Sequence, residues 1–288
     1  MNPSIFRSFI RAIVYRVEKI YQRVRFRRLP VPELGWPVLL GISFPKSGTH
    51  LLDQILLGFS AFAPLSLRLH SFYAEYVGES GRKRSLQEML LWLESLGHGD
   101  IASAHLYAHP EAVERVCTPA FVPYFIFRDP RDVAVSHVFY VTEMEPKHVH
   151  HEYYRSLPDI NSRLMVSILG RPGAEVEFPG IASRFSPYLG WLDQPAVLKI
   201  HFEDLVNLRR EVLGSILDHF LSRVPMTRPR EFMLDALEGS INPERSPTFR
   251  SGKVGEWKKY FNDEHKQIFK DTSGDLLIQL GYETNRNW

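Results

Sequence analysis

Three stretches of the chain hold the residue types that bind and transfer charged groups. The first is Phe44-Pro45-Lys46-Ser47-Gly48-Thr49-His50-Leu51. It follows the apolar run Val38-Leu39-Leu40-Gly41-Ile42 and leads into Leu51-Leu52-Asp53-Gln54-Ile55-Leu56-Leu57, whose apolar spacing is helical. A strand, a tight turn with glycine and lysine, and a helix opening at a threonine make an anion site. The first amides of the helix lack intrahelical partners, its dipole adds partial positive charge, and Lys46 adds a mobile full charge. The triphosphate loop G-x-x-x-x-G-K-[ST] does not fit. Pro45 stands where glycine is required and removes an amide donor, and Gly41 lies too close to Lys46. One phosphate cradle remains. The plainer alternative is a strand-to-helix turn with an incidental lysine.

The second stretch runs Tyr124-Phe125-Ile126-Phe127-Arg128-Asp129-Pro130-Arg131-Asp132-Val133-Ala134-Val135-Ser136. An apolar strand ends in Arg128, and Pro130 opens a helix whose second turn carries Ser136. Ligands gather at the carboxyl ends of parallel strands. A guanidinium and a hydroxyl so placed hold a phosphate from two sides. An Arg-Asp pair capping the helix accounts for Asp129 or Asp132, though not for the whole run. The third stretch, Thr248 to Phe261, holds Arg250, Ser251, Gly252, Lys253 and Gly255. Its glycines let backbone amides approach a phosphate and Arg250 supplies charge, although a surface loop anchored by Trp257 has the same look.

P-K-S-G-T after a strand resembles the 5′-phosphosulfate loop of sulfotransferases that use 3′-phosphoadenylyl sulfate (PAPS). The Arg128–Ser136 run resembles that family's R-[ND]-P-[KR]-D-x-x-x-S segment, which binds the 3′-phosphate. Thr248–Phe261 is similar to its F-R-x-G-x-x-G-x-W-x-x-x-F loop, and the three occur in the family's order across residues 38–261. Leu198-Lys199-Ile200-His201-Phe202-Glu203-Asp204-Leu205 resembles a structural strand ending in [YF]-E-D-L. The resemblance implies a single α/β domain, three-layered and P-loop-like, with a central parallel sheet flanked by helices. It also implies transfer from PAPS to a hydroxyl or amine, with no metal.

Residue by residue, the resemblance places the 5′-phosphosulfate on Lys46, Ser47, Gly48, Thr49, His50 and Leu51, with Lys46 stabilising the departing phosphate. Arg128, Ser136, Arg250, Ser251 and Gly252 take the 3′-phosphate. The family's K-x-H-L-P matches Ser103-Ala104-His105-Leu106 in part, which makes His105 the base for the acceptor proton. His109, His70 and Glu75 are its competitors. The chain departs from the pattern at Ser103 and Ser251, where lysine is usual, and at Leu51, where tryptophan often packs on adenine. The departure at Ser251 either weakens one 3′-phosphate contact or passes it to Lys253. His148, His150 and His151 beside Glu152 have the composition of a metal set. A histidine-rich loop at the mouth of the acceptor site is the simpler reading.

Two other functions share these features: a nucleotide-dependent phosphotransferase, and a catalytically silent nucleotide-binding protein associated with membranes. The acceptor class stays broad: a small molecule, a lipid or a glycan.

These groups must be held by an α/β framework. At 288 residues and 44% hydrophobic content the chain suits one large domain. Strands are predicted at about 38–43, 101–105, 121–127 and 196–201. Helices are predicted at about 49–60, 84–96, 110–116, 130–142, 178–193, 207–222, 229–239 and 263–280. Residues 143–178 have weak periodicity and are expected to cross over the site, and residues 240–262 to form a loop. A single cysteine, Cys117, excludes an internal disulfide, and no apolar run is long enough for a membrane span, so a cytoplasmic location is expected.

Residues 1–30 stand apart as a basic amphipathic helix ahead of a domain at 31–288. Residues 1–28 hold eight basic residues against Glu18, a net +7; the chain is +2, leaving −5 for the remainder. Ile5/Phe6, Phe9/Ile10, Ile13/Val14, Val17, Ile20/Tyr21 and Val24 form an apolar stripe that ends before Pro30. Such a helix either lies on an anionic membrane surface or docks on its own domain with its arginines in water. Nucleic acid is disfavoured, because no aromatic residues alternate with the basic ones in a repeating pattern. The oligomeric state is left open.

Overall fold

A computed structural model describes residues 3–246, 250 and 252–288; of residues 3–12 only the helical backbone is described. The strands in chain order are β1 (Val38–Ser43), β2 (Phe72–Ala74), β3 (Tyr76–Val77), β4 (Arg82–Lys83), β5 (Ile101–His105), β6 (Phe121–Phe127), β7 (Gly170–Arg171), β8 (Phe178–Pro179) and β9 (Leu198–His201). Five of them form the central sheet, in the order β2-β5-β1-β6-β9. Every pairing in it is parallel. β3 with β4, and β7 with β8, make two small antiparallel pairs outside it.

The alternation of side chains along the strands divides the core between two faces. Val122, Tyr124 and Ile126 of β6 pack with Leu39, Leu52, Ile55 and Leu56 on one face. Phe121, Phe125 and Phe127 pack with Leu40, Ile42, Val133 and Phe185 on the other. With both faces covered, strands read as continuous apolar runs, and β1 and β6 are buried at every position. The sheet is thus the middle of three layers, the α/β architecture expected from the motifs.

The helices that position the site are α1 (Pro3–Arg25), α2 (Thr49–Gly58), α3 (Leu86–Glu94), α4 (Pro110–Val116), α5 (Pro130–Phe139), α6 (His151–Ser156), α7 (Ile160–Leu169), α8 (Ile181–Leu189) and α9 (Phe202–Asn207). Several differ from expectation. The helix predicted to run to residue 142 leaves α geometry after Phe139 and continues as a π turn, Tyr140–Met144. The helix predicted over 178–193 is confined to Ile181–Leu189. The one predicted over 263–280 breaks at Gly274, whose φ of 56° is left-handed. Residues 143–178 contain α6 and α7, whose short lengths leave little periodicity to read. β2 also escaped prediction, because an edge strand of three residues has no alternation to detect. The chain turns into α9 directly after His201, so Glu203 and Asp204 are helical.

Candidate active site

The first motif forms the turn between β1 and α2. Gly48 has φ 94°, and a Cβ there would lie 2.6 Å from the Phe202 ring, so backbone conformation and space both require glycine. Lys46 also has a positive φ, 69°, which costs a non-glycine residue about 1–2 kcal/mol. Consecutive left-handed and right-handed residues turn successive amides to one side, the geometry of an anion nest. Among the described residues, no carbonyl takes the amides of Lys46, Gly48, Thr49 or His50. Ser47 is fully buried, and its Oγ has no partner among them.

The Lys46 Nζ stands 4.0 Å above the Tyr140 ring, which the π turn presents. Burial, reinforced by the charges of Arg128 and Arg250, draws the Lys46 pKa down to about 8. Three cations therefore share one neighbourhood. Each arginine is held in place. Arg128 Nη2 donates to the Lys253 carbonyl at 2.7 Å and lies 3.4 Å from Asp132, while its guanidinium covers the Phe202 ring at 4.7 Å. Its Nε is buried with no partner among the described residues. Arg250 pairs with Glu256 and covers the Phe139 ring at 4.4 Å. Ser136 is half-buried on α5. Gly252 has φ 61°. Ser251 lies outside the described residues, as do Thr248 and Phe249.

Asp132 joins the second motif to the third. Its carboxylate accepts from the Gly255 amide at 2.7 Å and the Trp257 amide at 2.8 Å. Arg131 is clamped by Asp129 and Glu283 and lies against the Trp257 and Trp288 rings, at 4.0 and 4.5 Å. Glu203, in the segment assigned a structural role, accepts from the Asp129 amide at 3.0 Å and the Tyr282 hydroxyl at 2.7 Å.

His105 ends β5 beside β1. Its Nδ1 lies 2.9 Å from the Ser43 carbonyl and 3.1 Å from Ser43 Oγ, which in turn meets Thr49 Oγ1 at 2.9 Å. A carbonyl can only accept, so Nδ1 carries the proton and Nε2 keeps its lone pair. Burial draws the His105 pKa down to about 4, with the Ser43 hydrogen bond opposing. Phe72 of β2 stands edge-on to the imidazole at 5.1 Å.

The competing bases have partners of their own, and the Glu75 amide bonds the His105 carbonyl at 3.2 Å. His70 lies at the amino end of β5, its amide bonded to the Ile101 carbonyl. His109 is 3.1 Å from Glu75, whose other oxygen accepts the Tyr107 amide. His50 is half-exposed, with Nδ1 3.7 Å from Asp53. Leu51 is half-buried on α2. Asp53 was not read as chemical from the sequence. Burial pushes its carboxyl up to about 7, with Ser103 opposing, yet among the described residues Asp53 Oδ1 and Ser103 Oγ both lack a hydrogen bond of ordinary geometry.

The histidine-rich loop is buried rather than open at a mouth. His148 and His150 pack near Phe178 and His137, and His151 Nδ1 lies 2.6 Å from the Val141 carbonyl. Among the described residues no group of three or more His, Cys, Asp or Glu side chains is arranged to hold a metal ion. Sequence reasoning also missed Arg184 of α8. It lies against the Phe178 ring at 4.4 Å, donates to the Ser167 carbonyl at 2.7 Å, and has an Nε unpartnered among the described residues. Its neighbours on α8, Phe185 and Tyr188, pack on Phe44 at the start of the loop, at 3.6 and 5.2 Å.

The arrangement can hold two phosphate groups, one on the loop amides and Lys46 and one beside Arg128, with a neutral histidine next to the first. No protein-family model matches this sequence, and no curated protein matches it. Solved structures do. A mouse sulfotransferase, SULT7A1, complexed with PAP, superposes with a TM-score of 0.58 at 15% identity, covering 88% of this chain and 89% of that one. A retinol dehydratase in complex with retinol and PAP gives 0.56 at 15%, covering 87% and 83%. A retinol dehydratase complex with androsterone and PAP gives 0.53 at 14%, covering 90% and 85%. The chain therefore has the fold of the PAPS-dependent sulfotransferases.

Proposed function

We propose that the protein transfers a sulfuryl group from PAPS to a hydroxyl or amine of a small-molecule, lipid or glycan acceptor. The observation that carries this reading is the convergence of free loop amides, Lys46, Arg128 and Arg250 at the carboxyl ends of β1 and β6, with His105 alongside. PAP in the similar structures supports it. The residues present suit such a donor: the unpaired amides and the buried Arg128 Nε are orphan donors that two phosphate groups would satisfy.

When bound, PAPS supplies the sulfuryl group. The amides of residues 46 and 48–50, with Lys46, would hold the 5′-phosphosulfate, and Thr49 is fixed beside them through Ser43. Arg128, Ser136, Arg250 and Gly252 would hold the 3′-phosphate, which would separate PAPS from ATP; Ser251, also assigned to that phosphate from the sequence, lies outside the described residues. His105 takes the acceptor proton on Nε2 while its Nδ1–H stays on the Ser43 carbonyl. Lys46 neutralises the charge that gathers on the leaving phosphate, stabilisation given where charge develops. Ser103 offers no second cation, so Lys46 carries that task without the usual lysine partner.

Calorimetric titration with 3′-phosphoadenosine 5′-phosphate (PAP), followed by a labelled-PAPS acceptor screen, tests the assignment. Tighter binding of PAP than of ATP, without magnesium, supports it. A preference for ATP with a magnesium requirement makes the protein a phosphotransferase. Nucleotide binding without transfer to any acceptor of a broad panel makes it a silent binder. Lys46→Ala is expected to lower turnover by about 10²–10³-fold with the fold intact by circular dichroism. Unchanged PAPS-dependent transfer in that variant overturns the mechanism.

A further inference from the structure

α1 is docked inside out. On a helix stepping about 100° per residue, Tyr15, Glu18, Lys19 and Gln22 share one face. That polar face meets the domain. Lys19 pairs with the buried Asp100 at 2.6 Å, Tyr15 bonds the same carboxylate, and Glu18 pairs with Arg68. Gln22 is buried, and its Nε2 donates to the Ser60 and Leu65 carbonyls, each at 3.0 Å. The opposite face holds the apolar stripe, and it faces water: Ile13 is 45% exposed, Val17 59%, Ile20 61%, Tyr21 56% and Val24 59%. Val31 and Leu34 continue the apolar exposure beyond the helix. Arg16, Arg23, Arg25, Arg27 and Arg28 are exposed around it.

The helix thus docks on its own domain with these arginines in water, yet it does so through its polar side. Ordinary docking would bury the apolar stripe and leave the polar face in solvent, because apolar burial is the larger driving force. Here the polar face is fixed by specific ion pairs and hydrogen bonds, and the apolar face has no partner among the described residues. We propose that this outward face seats the protein on an anionic lipid bilayer while the domain stays attached to the helix's other side. The charge distribution selects that occupant. Residues 1–28 carry a net +7 and the remainder −5, so an anionic surface attracts this end of the molecule and repels the rest. A second copy meeting the same face would bring +7 against +7. No described helix is long and apolar enough to cross a membrane, and the contact proposed is with the surface.

The test uses the full chain in flotation assays with vesicles of phosphatidylcholine alone or with added phosphatidylserine. Wild type is expected to float with the anionic vesicles and to be released by high salt. The double variant Val17→Glu, Ile20→Glu changes two exposed positions, so its melting temperature should stay near that of wild type. Its partition to anionic vesicles should fall by more than about tenfold, and Arg23→Gln should cost about fivefold. Failure of wild type to bind anionic vesicles overturns the proposal. So does a self-associated wild type that the double variant dissociates without any vesicle binding, which would assign the face to a second copy. PAP titration of the same variants should be unchanged, so a failure here is separable from a failure of the proposed transfer activity.

Discussion

The Asp132 carboxylate meets the Gly255 amide at 2.7 Å, joining residues 123 positions apart in the chain. This contact binds the loop that carries Arg250 and Gly252 to the helix that follows Arg128. With the Trp257 amide on its other oxygen, Asp132 sets the shape of the proposed second phosphate site without needing to touch the ligand.

Asp132→Asn keeps the size of the side chain but replaces one acceptor oxygen with an amide that faces an N–H donor. The loop should loosen, with a loss of about 1–3 kcal/mol. The expected result is PAP binding weakened by about tenfold or more, measured by calorimetry, and a melting temperature lower by a few degrees. Unaltered PAP affinity would show that the loop is placed by Arg131 and its aromatic neighbours instead.

The pH profile follows from two groups that are both shifted downward. In the proposed transfer His105 would act as a base only when neutral, and burial holds its pKa near 4, so it would remain competent through the range where a free imidazole at 6.5 would fail. Lys46 would act there only when charged, and burial beside Arg128 and Arg250 places the loss of its charge near 8. A plot of kcat/KM against pH should therefore fall on the acid side near 4 and on the alkaline side near 8. In kcat the alkaline limb should move upward, because an anion on the loop favours charged Lys46. An acid limb near 6.5, the ordinary imidazole value, would remove His105 from the role of base.

Asp53 gives a stability test independent of turnover. Its folded pKa, raised by burial to about 7, exceeds the ordinary value of 3.8. The unfolded chain therefore releases this proton first, and the contribution to stability is present below 3.8 and lost as pH rises through 7. Asp53→Asn should be close to neutral at about pH 4 and stabilising at about pH 8, on the order of 2–4 kcal/mol at most. Urea midpoints at the two pH values measure it. Equal effects at both would mean that Asp53 is ionised in the folded protein, held by partners such as His50.

The parts of this protein legible from the sequence are those whose cause is local. The β1 strand, the Lys46–Gly48 turn and α2 follow from apolar spacing, one obligatory glycine and the helix start. The Arg128 strand end follows from a buried run closed by Pro130, and the amphipathic character of α1 from its repeat. Short elements were illegible for the converse reason: β2, α6 and α9 are too brief for a period to show.

The rest depends on groups far apart in the chain, and only the folded molecule brings them together. Local spacing carries no trace of the Asp132–Gly255 contact, the Glu203–Tyr282 hydrogen bond, or the Ser43 carbonyl that orients His105. It also cannot say which side of a two-faced helix turns inward. A hydrophobic repeat announces two faces, but the buried Asp100 and the carbonyls of Ser60 and Leu65 decided between them, because buried polar groups must be paired. That requirement turned α1 polar side in, and left its apolar side facing out.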